Sequence, residues 1–265
     1  MKGLMIIFAW LAAISADELC TKDAVVRFSR ELSKMKEEII SACKGEDMIT
    51  DCNDVPFYTG VKTIKTEEGR IFSVYCEQGW TYIFKRFDGS VNFYLPWADY
   101  KKGFGKTNCE HFIGLDNLAS LVKQRGYKAR IDLATWPETN TNPSKGYAEY
   151  TTFKVANESD KYRLTIGGYS GTVQDSMAWQ NNMRFTTYDQ DNDIWGPGNC
   201  GTRYKGAWWD SKCHNSNLFG DYNFKPQCTF AQCITWKNWP QSLVPGKDNY
   251  YYSFKEASMK ICHKH

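Results

Sequence analysis

The sequence predicts an α+β domain in which a sheet and short helices precede a segment rich in loops. Leu115 to Gln124 has the apolar spacing of a short helix closed by Gly126. Beyond Gly167, single apolar residues are separated by Gly, Asn, Asp and Pro, so regular structure should be sparse there. Strand-like apolar stretches occur at residues 72–74, 80–84, 127–133, 147–155 and 162–166.

Composition limits the classes of function. The chain has 265 residues with 42% hydrophobic and 24% charged content, enough for one sizeable core or two modest domains. Its 33 basic and 30 acidic residues leave a formal charge of +3, and no long Lys/Arg run gathers on one element. Nucleic-acid binding therefore has little support.

Residues 1–16 have the layout of a signal peptide. Lys2 is followed by an apolar stretch from Leu4 to Ile14 and then by the small residues Ser15 and Ala16. The alternative is a membrane anchor, but an apolar stretch of roughly 12 residues falls short of the ~20 needed to span a bilayer. We expect a secreted, extracellular protein without membrane insertion.

Residues 17–46 predict a short amphipathic or coiled-coil segment. Apolar residues recur at alternating spacings of three and four from Val25 to Ala42, with Lys and Glu between them. Cys20 and Cys43 bracket this helix. Our hypothesis is that the segment pairs subunits and that these cysteines link chains, and the alternative is a bridge within one chain. Residues 47–265 then form the main domain.

The ten cysteines are candidates for disulfides, because the secretory route is oxidising. The pairing of Cys109, Cys228, Cys233 and Cys262 is left open, although Cys228 and Cys233 could close a small loop. One sequon, at Asn157, permits N-glycosylation.

The stretch Asp189-Gln190-Asp191-Asn192-Asp193 places carboxylates at alternate positions of a turn-prone segment. Calcium takes six to eight oxygen ligands, so two carboxylates with loop carbonyls and water would bind it. The spacing is not that of an EF-hand. The alternative interpretation is a solvated turn.

Several motifs together resemble the fibrinogen-related domains of the ficolin and tachylectin type, over roughly residues 51 to 262. They are Val74-Tyr75-Cys76, Gly79-Trp80-Thr81, Asp88-Gly89-Ser90-Val91, the acidic stretch, Asn199-Cys200, Gly206-Ala207-Trp208-Trp209, Cys213-His214 and Ser216-Asn217-Leu218. The resemblance implies a fibrinogen C-terminal-like fold with a central mixed or antiparallel sheet. It also implies the disulfides Cys52–Cys76 and Cys200–Cys213.

By the same resemblance, Ca²⁺ is held by the side chains of Asp191 and Asp193, the carbonyl of Trp195 and one near Gly198. This chain departs from the family pattern just before the last of these carbonyls, where Gly196-Pro197 includes one extra residue.

An acetyl group is held, by the same resemblance, at Tyr204, Cys213, His214, Phe230 and Ala231, with a cis peptide before the Cys-His step. This chain departs from the family pattern at three positions. Phe230 stands where the family commonly has Tyr, and Asp210 and Ser242 each stand where the family has an aromatic residue. The segment of residues 242–249 is also longer than the corresponding segment in the compact family pattern.

We therefore expect a secreted calcium-binding lectin that recognises acetylated or related glycans, acts in innate-immune pattern recognition and forms disulfide-linked homo-oligomers. The alternative is a ligand for a cell-surface or matrix protein that binds no glycan. An enzyme is not expected, because the sequence has no nucleophile elbow, zinc signature or phosphate loop.

Overall fold

The computed structural model describes residues 29–36, 48–137 and 144–263. The chain divides into two compact units, Met1–Met48 and Ile49–His265. In the first, residues 29–36 form an α-helix, α1, on which Leu32 is exposed. The predicted signal peptide, Cys20 and Cys43 lie outside the described residues. Among the described helices, none has both the length and the apolar character needed to cross a membrane.

The second unit combines short helices with many strands. The helices are α2 (Trp97–Lys102), α3 (Leu115–Lys123) and α4 (Cys200–Arg203), and single 3₁₀ turns occur at Cys52–Asp54, Glu158–Asp160, Ala178–Gln180 and Asn249–Tyr251. The strands are β1 (Thr59–Lys65), β2 (Ile71–Glu77), β3 (Trp80–Arg86), β4 (Phe104–Gly105), β5 (His111–Phe112), β6 (Tyr127–Ala134), β7 (Lys145–Val155), β8 (Leu164–Gly171), β9 (Ser216–Asn217), β10 (Thr235–Trp236) and β11 (Glu256–His263).

Within the described residues, β1–β8 and β11 form one sheet in which every pair is antiparallel. Its main order is β1-β2-β3-β11-β6-β7-β8, so the last strand of the chain lies in the middle of the sheet. The turn between β2 and β3 is Gln78-Gly79, and both residues have positive φ. This conformation suits a two-residue hairpin, because its twist matches that of the strands.

The predicted strand at Tyr162 has the wrong bounds. Lys161 and Tyr162 have left-handed φ angles of 52° and 51°, so the strand begins at Leu164 and extends to Gly171. The sequence patterns did not predict β1, which is an edge strand in which Ile64 alone is fully buried. Predicted helix α3 is confirmed, and its Leu115, Leu118 and Leu121 side chains are completely buried.

After β8, the chain is mostly loops, as predicted, and aromatic side chains pack these loops against the sheet. Phe219, from the loop segment, contacts Phe84 of β3 with ring centroids 4.9 Å apart and Trp208 at 4.8 Å. Edge-to-face pairs of this kind add about 0.5–1.5 kcal/mol beyond area burial. Trp208, Trp209, Trp236 and Trp239 are all buried, so these side chains serve the core.

Two buried charged side chains lie near the end of β3, where one orders the following turn and the other bonds the sheet to these loops. Glu110 is 0% exposed, and its carboxylate accepts hydrogen bonds from the backbone N–H groups of Phe87, Asp88, Gly89 and Val91 at 2.6–3.1 Å. Arg86 is 2% exposed and donates to two backbone carbonyls in the loop segment, those of Leu218 and Gly220.

The substitution Glu110→Gln is expected to lower the free energy of unfolding by about 2–4 kcal/mol, because an amide accepts fewer of these bonds and leaves Arg86 without a buried counter-charge. Urea denaturation measures the change. The exposed control Glu67→Gln should change stability by less than about 0.5 kcal/mol. Equal effects of the two substitutions would contradict the role given to Glu110.

Candidate functional site

The predicted pocket residues come from three separate stretches of the loop segment, and Asn217 connects two of these stretches. Its buried side-chain amide donates to the backbone carbonyls of Tyr204 at 3.1 Å and of Ala231 at 3.3 Å. Asn217 belongs to β9 and pairs with Thr235 of β10, which fixes its position. The sequence motif contained Asn217, but no local pattern assigned it this positioning role.

Tyr204, His214 and Phe230 lie together, as their predicted common role requires. The ring of Tyr204 contacts that of His214 edge-on at 5.0 Å and lies 6.5 Å from that of Phe230. Phe230 is 38% exposed, whereas His214 is buried. The three rings therefore form an aromatic cluster with a surface side and a buried side.

Tyr250 joins this cluster and was not predicted. Its ring lies 5.0 Å from that of Phe230 and 6.3 Å from that of His214. Its hydroxyl donates to the backbone carbonyl of His214 at 2.8 Å. Burial raises the pKa of Tyr250 to about 12, and the charges of Asp248 and Tyr204 make smaller contributions in the same direction. The hydroxyl therefore stays protonated. Residue 250 follows the long 242–249 segment, so sequence spacing gave no signal for it.

The backbone of the pocket is held by two further features. Ala231 has a left-handed φ of 59°, and its N–H donates to the carbonyl of Tyr250 at 2.8 Å. The peptide between Lys212 and Cys213 is cis. Cys213 is buried and pairs with Cys200.

The disulfides of the described residues are Cys52–Cys76, Cys200–Cys213 and Cys228–Cys233. The first two are the pairs that the resemblance implied. The third closes a loop of five positions that carries Phe230, so the pocket rim is covalently restrained. Cys109 and the buried Cys262 carry free thiols.

Asp210, which departs from the family pattern, is the partner of the pocket histidine. Its Oδ1 lies 3.2 Å from Nδ1 of His214, and the two side chains are 3% and 2% exposed. The other ring nitrogen of His214, Nε2, is also buried and has no hydrogen-bond partner in the described part of the chain. An unpaired buried polar group costs about 1–3 kcal/mol.

The acidic stretch forms a loop next to this pocket. The carboxylate of Asp193 accepts hydrogen bonds from the N–H groups of Trp195 and Cys200, each at 2.8 Å. Asp191 accepts from the N–H of Asp193 at 3.2 Å. Burial, and then the charges of Asp191 and Asp210, raise the pKa of Asp193 to about 6, although its backbone hydrogen bonds act in the opposite direction.

The carbonyl of Trp195 accepts a hydrogen bond from Gly198 at 3.2 Å, so these two predicted ligands belong to one turn. The oxygen atoms of Asp191, Asp193 and Trp195 have the hard-donor chemistry that Ca²⁺ prefers. Among the described residues, no group of three or more His, Cys, Asp and Glu side chains is arranged to bind a metal. Backbone oxygens and water would have to complete a calcium shell here.

Asn157 is exposed at the start of the 3₁₀ turn Glu158–Asp160. The hydroxyl of Ser159 donates to its side-chain oxygen at 2.6 Å. Its position suits the predicted glycosylation, because an exposed sequon is accessible to modification.

The arrangement is an aromatic cluster on loops that an antiparallel sheet supports. The family model for the C-terminal globular domain of fibrinogen beta and gamma chains matches residues 49–264. This chain therefore belongs to the fibrinogen C-terminal domain family, which confirms the resemblance and the α+β fold. Members of this family are non-enzymatic binding proteins.

Individual proteins that this chain resembles include both a curated relative and solved structures. The chain is 40% identical to Ryncolin-4 of Cerberus rynchops over 206 residues, which are 76% of this chain and 55% of that protein. The fibrinogen-like globe domain of human ANGPTL2 is 32% identical, with a TM-score of 0.74, and the match covers 82% of this chain and all of that one. Lamprey fibrin D-dimer, solved with the peptide Gly-His-Arg-Pro-amide, is 25% identical with a TM-score of 0.73, covering 99% and 92% of the two chains.

Proposed function

We propose that this protein is a secreted, calcium-binding lectin that recognises acetylated or related glycans in innate-immune pattern recognition. The observation that carries the proposal is the aromatic cluster of Tyr204, His214, Phe230 and Tyr250, which is built on a buried, disulfide-bonded backbone. Secretion is supported by the disulfides of the described residues, since such bonds persist in oxidising compartments.

The chemistry of the cluster suits an acetyl group. A methyl group needs an apolar socket, which the rings of Tyr204 and Phe230 supply. The acetyl carbonyl needs a hydrogen-bond donor. The Tyr204 hydroxyl and the backbone N–H groups of Cys213 and His214 are groups that can donate to it. Tyr204 directly follows α4, and the Asn217 amide holds it beside Ala231, the neighbour of Phe230.

Calcium would support this pocket indirectly. Asp193 already bonds to the N–H of Cys200, the residue that begins α4, and Cys200 is covalently bonded to Cys213 of the pocket. An ion between Asp191 and Asp193 would therefore stabilise the loop that leads directly to the pocket. It would also offset the repulsion between these neighbouring carboxylates.

Calcium at about 100 times its dissociation constant is expected to stabilise the fold by about 2.7 kcal/mol, and to raise the melting temperature by roughly 5–10 °C. The double substitution Asp191→Asn/Asp193→Asn should remove this increment. Differential scanning calorimetry with calcium and with a chelator measures both effects.

The matched control is Asp189→Asn. The Asp189 carboxylate accepts from the N–H of Trp97 and the hydroxyl of Thr187, so its loss should lower stability in both buffers and leave the calcium increment intact. Identical melting of the unsubstituted protein in calcium and in chelator would rule out the calcium site.

Glycan binding is tested on an array rich in N-acetylated and sialylated sugars, in calcium. The unsubstituted protein should bind N-acetylated sugars, and Tyr204→Ala/His214→Ala should lose at least about 90% of that signal, because both a ring wall and a polar contact are removed. The control Tyr169→Ala alters an exposed ring on β8 and should bind normally. Equal binding by both variants would place the glycan elsewhere.

Individual acetyl pockets are small, so useful avidity requires several linked copies. We assign that linkage to residues 17–46, with Cys20 and Cys43 as interchain bridges. Gels of the purified protein should show oligomers without reductant and a monomer with it. A monomer under both conditions would exclude covalent assembly.

A second candidate function is binding of a protein or peptide. It is favoured by the lamprey fibrin relative, which was solved with a peptide ligand, and by the loss of the usual pocket hydroxyl at Phe230. The two functions differ in their inhibitors. Free N-acetylated sugar should block ligand binding by a lectin, whereas it should not change the binding of a receptor-binding protein to its partner.

A further inference from the structure

A cleft lies beside the end of β3, between the turn that follows this strand and the loop that follows β9. Its volume is about 460 Å³, within the roughly 300–1,000 Å³ of ligand pockets. The described residues that line it do not belong to the aromatic cluster, so the cleft is a separate site. The lining includes Ser90, Asn92, Asp221, Tyr222, Asn223 and Phe224.

Both walls of the cleft are anchored by the two buried charges at the end of β3. The carboxylate of Glu110 accepts from four N–H groups of the turn at residues 87–91. The guanidinium of Arg86 donates to the carbonyl of Gly220, the residue before Asp221. Each wall is therefore fixed before a ligand arrives, which lowers the entropy that binding costs.

The carboxylate of Asp221 is the ionic group that the cleft offers to a ligand. Asp221 is exposed, and its carboxylate has no hydrogen bond or ion pair within the part of the chain that the structure describes. Partial burial raises the pKa of this carboxyl group, whereas the charges of Lys205 and Arg86 act in the opposite direction. A cationic ligand would offset this incomplete solvation.

The two protein cations near Asp221 have other partners. The ammonium group of Lys205 lies over the ring of Tyr94, 5.2 Å from its centroid. Arg86 is buried, and the negative charge of Glu110 opposes its own charge. The carboxylate of Asp221 is therefore left for a cation from outside the domain.

The neighbouring side chains favour a guanidinium among cationic groups. The ring of Phe224 is 69% exposed and is held edge-on by Tyr222, with centroids 5.1 Å apart. The hydroxyl of Tyr222 donates to the carbonyl of Phe87 at 2.8 Å, which fixes this pair of rings. The amide nitrogen of Asn223 donates to the carbonyl of Gln227, so its side-chain oxygen remains as an acceptor. A guanidinium stacks on aromatic rings and donates through a planar fork.

We propose that this cleft binds an arginine side chain of a partner protein. The carboxylate of Asp221 accepts hydrogen bonds from the guanidinium, and the exposed ring of Phe224 lies against its flat face. Buried arginine anchors of this kind carry much of the affinity of many protein interfaces. The contact is separate from the proposed glycan site, so either can exist without the other.

The test uses albumin conjugates of three peptides. They are acetyl-Gly-Arg-Gly-Cys-amide and the same peptide with lysine or citrulline in place of arginine, each linked through its cysteine. Citrulline keeps the shape of arginine without its charge, and acetylation removes the terminal amine. Surface plasmon resonance with the full-length protein should show the arginine conjugate binding at least about fivefold more tightly than the citrulline conjugate, and at least about twofold more tightly than the lysine conjugate.

Two substitutions assign these preferences to the cleft. Asp221→Asn should reduce the preference for arginine over citrulline to within about twofold, because the amide carries no charge. Phe224→Ser should abolish the preference for arginine over lysine, because the stacking surface is lost. The exposed control Glu67→Gln should keep both preferences. Circular dichroism checks that each variant is folded.

Equal binding of the arginine and citrulline conjugates to the unsubstituted protein would overturn the proposal, as would the absence of binding to all three conjugates. A preference for arginine that survives Asp221→Asn would place the cation site elsewhere. Competition by free N-acetylglucosamine would place the peptide in the aromatic cluster and would also contradict the proposal. Failure of this proposal would leave the glycan-binding function untouched, because that function is measured with sugars on the array.

Discussion

The two hydrogen bonds from the Asn217 side chain hold the candidate site together. They join the carbonyls of Tyr204 and Ala231, which belong to different loops and have no strand pairing with each other. Buried backbone carbonyls need partners, and a loop segment cannot supply them by a sheet ladder. A short buried amide meets this need, and in doing so it places the Tyr204 and Phe230 regions side by side.

The same solution recurs throughout the loop segment. Asn249 is 5% exposed and donates to the carbonyls of Lys237, Trp239 and Gln241 at 3.0–3.2 Å. Its side-chain oxygen accepts from the N–H of Leu243. These bonds organise the long 237–249 stretch immediately before Tyr250, so the ring that completes the aromatic cluster is positioned by a second buried asparagine. The loops are therefore ordered by side chains, and Arg86 of β3 bonds them to the sheet.

The fold was largely predictable, because strands and helices have local signals. The alternation in β6 and β7 and the buried leucines of α3 were evident in the sequence. The edge strand β1 was not, since one fully buried residue leaves almost no apolar pattern. The site was predictable only through the family motifs. Tyr250 and the pairing of Asp210 with His214 depend on contacts between distant loops, and sequence spacing does not encode such contacts.

We propose that the cluster of Tyr204, His214, Phe230 and Tyr250 is the ligand site and that the loop of Asp191 and Asp193 is its calcium support. A crystal structure of the protein grown with calcium and N-acetylglucosamine tests both parts directly. We expect the acetyl methyl group to lie against the rings of Tyr204 and Phe230, with an ion bound by the two aspartates. Sugar bound at another surface, with these four rings unoccupied, would contradict it.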